Sequence, residues 1–241
     1  MIIYKNNREQ FIQAFVLKYE EMIRIKRTTD ILFCCVGTQK SILANYYDCV
    51  GPVVGYILSK YVGHIHPVLG HLLAPLNAYS LGQKEIEDYI NNKTRIVIAI
   101  DANIWISDKA NIIKTGSLYP GSADEKEINP IGDISILMNT MKQSDYDSFR
   151  AYTNDPPEMG NARFETYPGN RVHLEDGIKQ ALEIAYCILY GLTGQDYFIY
   201  QSQDFREVID LIRQYNSEIK SKESYFNSSY YTDLLEQIKR P

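Results

Sequence analysis

The fold of this chain is decided by the stretch TRIVIAID, residues 94–101. Its β-branched and apolar residues make it the clearest strand in the sequence, and the strand ends at Asp101. A second run, DILFCCVG at residues 30–37, is apolar throughout its middle and ends at Gly37. Such a run is typical of a central strand in a parallel sheet, because those strands are buried on both faces.

Helical patterns separate and follow these strands. Apolar residues at helical spacing predict helices over 7–26, 49–61, 82–92, 174–192, 205–222 and 231–239. The remaining segments are predicted as a short strand and loop over 67–81, a strand fragment and turns over 107–133, a strand or helix start over 134–138, and a long loop or insertion over 144–171. Strands that alternate with helices predict an α/β protein with a mainly parallel sheet covered on both faces. We assign residues 1–194 to this α/β domain and residues 195–241 to a C-terminal helical appendage packed on it.

The bulk composition argues against several functional classes. A chain of 241 residues with 45% hydrophobic residues can bury one sizeable core. The net charge of −5, without a clustered basic face, argues against nucleic-acid binding. No apolar stretch reaches the roughly 20 residues of a transmembrane helix, and the N-terminus lacks a signal-peptide pattern. We therefore expect a cytoplasmic protein that binds neither nucleic acid nor membrane.

The four cysteines have no metal-binding or redox spacing. Cys34 and Cys35 lie in the apolar run, where neighbouring side chains point to opposite sides of a strand. We expect these two, Cys49 and Cys187 to be reduced and mostly buried, as in a cytosolic protein. A nucleophilic role for Cys49 is the alternative.

Two aspartates are the main candidates for a polar site. Ligands of parallel α/β sheets bind beyond the carboxyl ends of the strands, which is where the Gly37 loop and Asp101 are predicted to lie. Asp101 closes an apolar strand, where desolvation tends to raise a carboxyl pKa. Asp48 is predicted to cap the helix that begins at Cys49, and a helix dipole favours the ionised form. Such a pair can divide acid and base roles or share a divalent metal, although an ordinary cap and an ordinary strand end are the structural alternative.

Further along the chain, five blocks occur in a fixed order. They are VGT at 36–38, DCVGPVVG at 48–55, LAPLNA at 73–78, IDA at 100–102 and PIGDIS at 130–135. The ordered set resembles the sporulation-associated proteases related to the spore germination protease, whose fold is shared with the hydrogenase maturation proteases. The resemblance covers roughly residues 30 to 140. It implies a three-layer α/β/α sandwich and hydrolysis of a peptide or protein substrate.

The resemblance also implies roles for individual residues. The catalytic acids of that family fall by position on Asp48 and Asp101. In the maturation proteases the corresponding positions bind a metal, and a histidine assists. The resemblance therefore also implies a metal-assisted mechanism, in which Asp48, Asp101 and His71 bind a divalent metal. We expect the Gly37 and Thr38 amides to bind the oxyanion. Two further residues, Asn77 near the place of the family's histidine and Gly116, are expected to contact the substrate.

Three functional hypotheses stay open at this point. The first is the peptidase, with or without a metal. The second is a non-catalytic recognition or scaffold protein, because the loop 39–47 is longer than its counterpart in the family and lacks the acidic residue found there. The third is a small-molecule hydrolase or phosphorylase with an anion site behind Gly37. A homo-oligomer is compatible with each of them.

Overall fold

The protein is described by a computed structural model, which covers residues 2–5, 7–37, 49–103, 110–120, 128–139 and 170–220. Its helices are α1 (Arg8–Lys26), α2 (Val50–Val62), α3 (Ala78–Leu81), α4 (Lys84–Ile90), α5 (Asn170–Thr193) and α6 (Gln201–Lys220). Its strands are β1 (Ile2–Lys5), β2 (Ile31–Cys35), β3 (Val68–Leu69), β4 (Ile96–Asn103), β5 (Ala110–Thr115) and β6 (Ile134–Asn139). A 3-10 turn, Phe198–Tyr200, precedes α6.

The strands in this part of the chain form one sheet in the order β1-β5-β6-β4-β2-β3. The pairs β2–β3, β2–β4 and β4–β6 are parallel, whereas β5 runs antiparallel to both of its neighbours. The predicted α/β class with a mainly parallel sheet is therefore confirmed. The two clearest strands of the sequence, β4 and β2, lie side by side near its centre.

Alternation along the strands divides the core between the two faces of the sheet. On the first face, Ile98 and Phe33 pack in the core that also contains buried residues of α1, α2, α5 and α6. On the second face, Ala99 and Cys34 pack against α4 and the irregular segments around Leu76 and Ile131. Successive strand residues point to opposite faces, so each central strand contributes to both cores. The result is a three-layer α/β/α sandwich with its longer helices on one side.

Helix α2 packs unusually close to the sheet. A Cβ atom on Gly51 would lie 1.9 Å from the Val36 carbonyl oxygen, and one on Gly55 would lie 1.9 Å from the Gly70 carbonyl oxygen. Only hydrogen fits at those two points, so the glycines fix the first turns of α2 against the carboxyl end of β2. The predicted helix over 49–61 is confirmed to within one residue at each end.

Some element boundaries differ from the prediction. The sequence pattern did not predict β1, which pairs antiparallel with β5 through Ile2 and Ile113. The ambiguous segment 134–138 is a strand. Helix α5 begins at Asn170, four residues earlier than predicted, and Gly194 follows its end with a φ of +69° as expected for a C-terminal cap. Residues 144–169 and the predicted helix over 231–239 lie outside the described residues.

Helix α6 packs against the first-face core. Its Val208 and Ile212 side chains are buried in the first-face core. No helix in the described part of the chain is both long and apolar enough to span a membrane.

Candidate functional site

The candidate site lies at the carboxyl edge of the central strands. The Val36 amide donates a hydrogen bond to the Ile100 carbonyl at 2.8 Å, and the Gly37 amide donates to the Leu76 carbonyl at 3.0 Å. These bonds place the end of β4, the end of β2 and the Leu76 segment side by side. Since neighbouring strands lie about 5 Å apart, the backbones of Asp101 and Asn77 are separated by roughly 10 Å. The fold thus brings Asp101, Gly37 and Asn77 to the same edge.

Asp101 follows Ile100, which belongs to the first-face core. By alternation the Asp101 side chain starts on the second face, next to Leu137 of β6. The residue is half-buried, and its Oδ1 atom accepts the Ala102 amide hydrogen at 2.8 Å. A carboxylate in this setting is held in place by the strand end and is partly shielded from water.

Asp48 lies outside the described residues. Its neighbour Cys49 is described and occupies the N-cap position of α2, where its carbonyl accepts the Val53 amide at 2.9 Å. The prediction that Asp48 caps this helix therefore falls on a residue outside the described part of the chain. Cys49 itself has helical φ and ψ, and its side chain makes no capping bond. Asp48 is joined directly to this first turn.

Asn77 serves as the N-cap of the short helix α3. Its Oδ1 atom accepts the amide hydrogens of Tyr79 and Ser80, each at 3.0 Å, and the Ser80 hydroxyl oxygen accepts the Asn77 amide hydrogen at 2.9 Å. In this capping box the side-chain oxygen of Asn77 is already bound to backbone amides of the protein itself. The Gly37 amide is likewise used by Leu76, and Thr38 lies outside the described residues.

Gly116 lies at the other edge of the sheet. It follows the antiparallel strand β5 with a φ of +103°, and its amide donates to the Asp133 carbonyl at 2.7 Å. The Asp133 amide in turn donates a hydrogen bond to the carbonyl of Val97, which lies four residues before Asp101 on β4. At about 3.3 Å per residue, Gly116 is roughly 13 Å from Asp101 along the strand direction. The fold therefore does not bring these two predicted site residues together.

His71 lies in a tight turn just after β3. Its backbone exchanges two hydrogen bonds with Ala74, and its Nδ1 atom accepts the Leu73 amide hydrogen at 3.2 Å. Burial lowers the pKa of the imidazole, so the neutral form is favoured. Among the described residues, no three histidine, cysteine, aspartate or glutamate side chains form a group that could hold a metal.

The four thiols are free and buried, as predicted. Cys34 and Cys35 pack on opposite faces of β2, in the second-face and first-face cores respectively. Burial raises the pKa of Cys35 well above its ordinary value. A nucleophilic thiol needs access and a stabilised thiolate, and Cys49 is fully buried.

Two charged clusters were missed by sequence reasoning. The Lys26 ammonium group binds the Asp133 carboxylate at the amino edge of the sheet. Asp204 on α6 is completely buried and receives bonds from Lys60, Tyr61 and Tyr186. The second cluster had a sequence signal, since Asp204 shares the helical spacing of the apolar residues at 208 and 212.

Comparison with known proteins links this architecture to one family. Residues 2–153 match the sequence model of a family described as "Protein of unknown function (DUF1256)". The matched range contains the whole sheet and α1 to α4, whereas α5 and α6 lie beyond it. No curated protein and no solved structure matches the chain.

Proposed function

The chain belongs to the DUF1256 family of proteins of unknown function, and we propose that it is a peptidase that hydrolyses peptide bonds with Asp48 and Asp101. The observation that carries the proposal is the half-buried carboxylate of Asp101 at the carboxyl edge of the central strand β4, beside the end of β2. Ligand sites of parallel α/β sheets lie at this edge. The ordered motifs that resemble the sporulation-associated proteases give the second, independent support.

The two acids would divide the chemistry of hydrolysis. One carboxylate takes a proton from the attacking water, and the other carboxyl group protonates the leaving amine. Asp101 is suited to a fixed role, because the Ala102 amide holds one of its oxygens. Asp48 enters α2 directly, and the close packing of Gly51 on Val36 holds that first turn beside the end of β2.

The geometry changes one part of the expected mechanism. The Gly37 amide donates to Leu76, so it holds the strand end in register and is not directed at a substrate oxygen. The oxyanion would then be bound by amides that follow Gly37 in the chain. Asn77, at the same edge, would border the substrate through its backbone and through the helix that it caps.

We propose that the protein works in the cytoplasm. The support is that all four of its cysteines are free thiols with buried side chains, although Cys34 and Cys35 are adjacent. Such usage is typical of a reducing compartment.

The test is a cleavage assay with the purified full-length chain. An unfolded, dye-labelled protein serves as the substrate, and mass spectrometry of the products identifies the bonds that are cut. We expect Asp48→Asn and Asp101→Asn each to lower kcat by about a hundredfold or more. The matched control is Asp88→Asn, which removes an exposed carboxylate from α4 and should leave kcat unchanged. Wild-type rates in both variants would refute the proposal.

The same assay tests whether hydrolysis requires a divalent metal. Loss of activity with a chelator and its recovery with zinc or manganese would favour the metal-assisted version, in which Asp48, Asp101 and His71 are the candidate ligands. Activity that resists chelation would favour two aspartates acting alone.

A non-catalytic scaffold is the second candidate, and one observation favours it. The side-chain oxygen of Asn77 and the amide of Gly37 are both used to hold the fold. If the wild-type protein cuts no bond in the unfolded substrate, and Asp101→Asn changes thermal stability alone, the scaffold hypothesis replaces the peptidase.

A further inference from the structure

A buried carboxylate anchors the first turn of helix α6 to the rest of the protein. Asp204, in the first turn of α6, has no solvent exposure. Its Oδ1 atom accepts a hydrogen bond from Lys60 Nζ at 2.9 Å. Its Oδ2 atom accepts from the hydroxyl groups of Tyr61 at 2.9 Å and Tyr186 at 2.6 Å. We call these four residues the Asp204 latch.

The latch joins three helices. Lys60 and Tyr61 lie in the last turn of α2, and Tyr186 lies in α5, so the latch connects α6 to both helices. A second contact extends it, because Glu207 accepts hydrogen bonds from Tyr56 and, at 2.6 Å, from Lys60. Burial and then the bond to Asp204 raise the pKa of Tyr186, which keeps its hydroxyl group a donor. Lys60, Tyr61 and Tyr186, the partners of the Asp204 carboxylate in the described part of the chain, are therefore all hydrogen-bond donors at neutral pH.

The described side chains of α6, residues 201–214, contribute fewer buried apolar groups than those of α5. Within residues 201–214, Val208 and Ile212 are the two fully buried apolar side chains, and Phe205, Ile209 and Leu211 are half-buried. Helix α5 contributes a much longer buried stripe, consisting of Ile178, Ala181, Leu182, Ile184, Ala185, Tyr186, Cys187, Ile188 and Leu189. A helix with little buried apolar area depends more heavily on its polar anchor, because apolar burial is the main source of packing free energy.

The connection to α6 suits a hinge. Gly194 adopts a φ of +69°, and residues 193–196 are exposed. Opening at Gly194 would move α6 together with residues 197–200, whose rings pack on Tyr61 and Tyr186, and would expose these two tyrosines to water. The pairing of the strands would not be touched. Segments of this kind open as units at a lower free energy than the central strands.

We propose that α6 is a releasable strap that opens as a unit about the Gly194 hinge, and that the Asp204 latch holds it closed on α2 and α5. The α/β domain stays folded in the open form. The proposal is independent of peptidase activity, since the latch lies at the end of α2 opposite to the candidate site.

Native-state hydrogen exchange of the full-length chain, read by mass spectrometry, tests the proposal. In the wild type we expect the α6 amides to exchange faster than those of β4, which open only on global unfolding. In Asp204→Asn the α6 amides should exchange at least about tenfold faster than in the wild type, because the neutral side chain forms weaker bonds with Lys60 and the tyrosines. The β4 amides should change much less.

The matched control is Asp210→Asn, which removes an exposed α6 carboxylate paired with Arg213 at 3.4 Å and should leave all rates unchanged. If Asp204→Asn does not fold, Tyr186→Phe removes a single donor and should accelerate exchange in α6 selectively. Equal acceleration of α6 and β4 in the folded variant, or unchanged α6 rates, would overturn the strap.

Discussion

The Lys26 Nζ atom lies 2.5 Å from the Asp133 Oδ2 atom, and this pair ties the last turn of α1 to the start of β6. The same carboxylate oxygen accepts the Val97 amide hydrogen at 2.8 Å, and Lys26 also donates to the Arg95 carbonyl at 2.7 Å. The two side chains are only 20% and 24% exposed. Asp133 belongs to the PIGDIS block, so this motif supplies an anchor at the amino edge of the sheet.

Removing this anchor should destabilise the protein. We expect Asp133→Ala to lower the free energy of unfolding by about 2–3 kcal/mol, because Lys26 and the Val97 amide would both lose an acceptor. Urea denaturation measures the change. The comparison is Glu21→Ala, which removes the partner of Lys18 on a more exposed part of α1 and should cost clearly less free energy of unfolding than Asp133→Ala. Equal losses in the two variants would contradict the role given to Asp133.

The close contact of α2 with β2 gives a second prediction. In Gly51→Ala the new methyl group would overlap the Val36 carbonyl oxygen, so α2 would have to shift. We expect a loss of about 2 kcal/mol or more in the free energy of unfolding. Gly82→Ala is the control, since the nearest atoms would lie 3.6 Å from its Cβ. That variant should unfold at nearly the wild-type urea concentration, and a matching loss there would disprove the steric explanation.

The buried thiols should resist alkylation in the folded protein. Burial raises the pKa of Cys187 to about 12 and that of Cys34 higher still, so little thiolate forms at mildly alkaline pH. Iodoacetamide at about pH 8 should label none of the four cysteines until the chain is unfolded in urea. Intact-mass spectrometry counts the labels. Rapid labelling of Cys49 in the folded protein would instead support the alternative that Cys49 is a nucleophile.

His71 should make stability depend on pH in mildly acidic solution. Burial lowers its pKa below the ordinary 6.5, and its Nδ1 atom accepts the Leu73 amide hydrogen, which requires the unprotonated nitrogen. As the pH falls below 6.5, His71 becomes protonated in the unfolded chain while it stays neutral in the folded chain. The free energy of unfolding therefore decreases. His71→Gln should reduce this decrease between about pH 7 and about pH 5.5. Urea titrations across this range measure the change, and an undiminished decrease in His71→Gln would contradict the prediction.

The central strands and the place of Asp101 were predictable because the relevant signals are local. The runs that form β2 and β4 are apolar on both faces, and the end of each run marks the edge where polar residues can appear. Strand β1 was missed because its four residues are too short a pattern and its partner β5 lies far along the chain.

The composition of the candidate site was harder to predict. Gly116 was expected at the site, but it follows β5, which is antiparallel and ends at the opposite edge. Strand direction is set by tertiary pairing and cannot be deduced from a short local pattern. Asn77 was predicted from its place in a motif, and its use as a helix cap depends on the turn into α3 that the structure shows.

The sheet order has a consequence for how the chain folds as it is synthesised. Strand β2 pairs with β4, and β1 pairs with β5. These early strands cannot complete their pairing until the later strands have been synthesised. The first-face core stays incomplete until α5 has left the ribosome, because that helix supplies its longest apolar stripe. Non-local pairing of this kind slows folding and leaves apolar surface exposed in the nascent chain. The strand order therefore delays completion of the sheet and of the first-face core until late in synthesis.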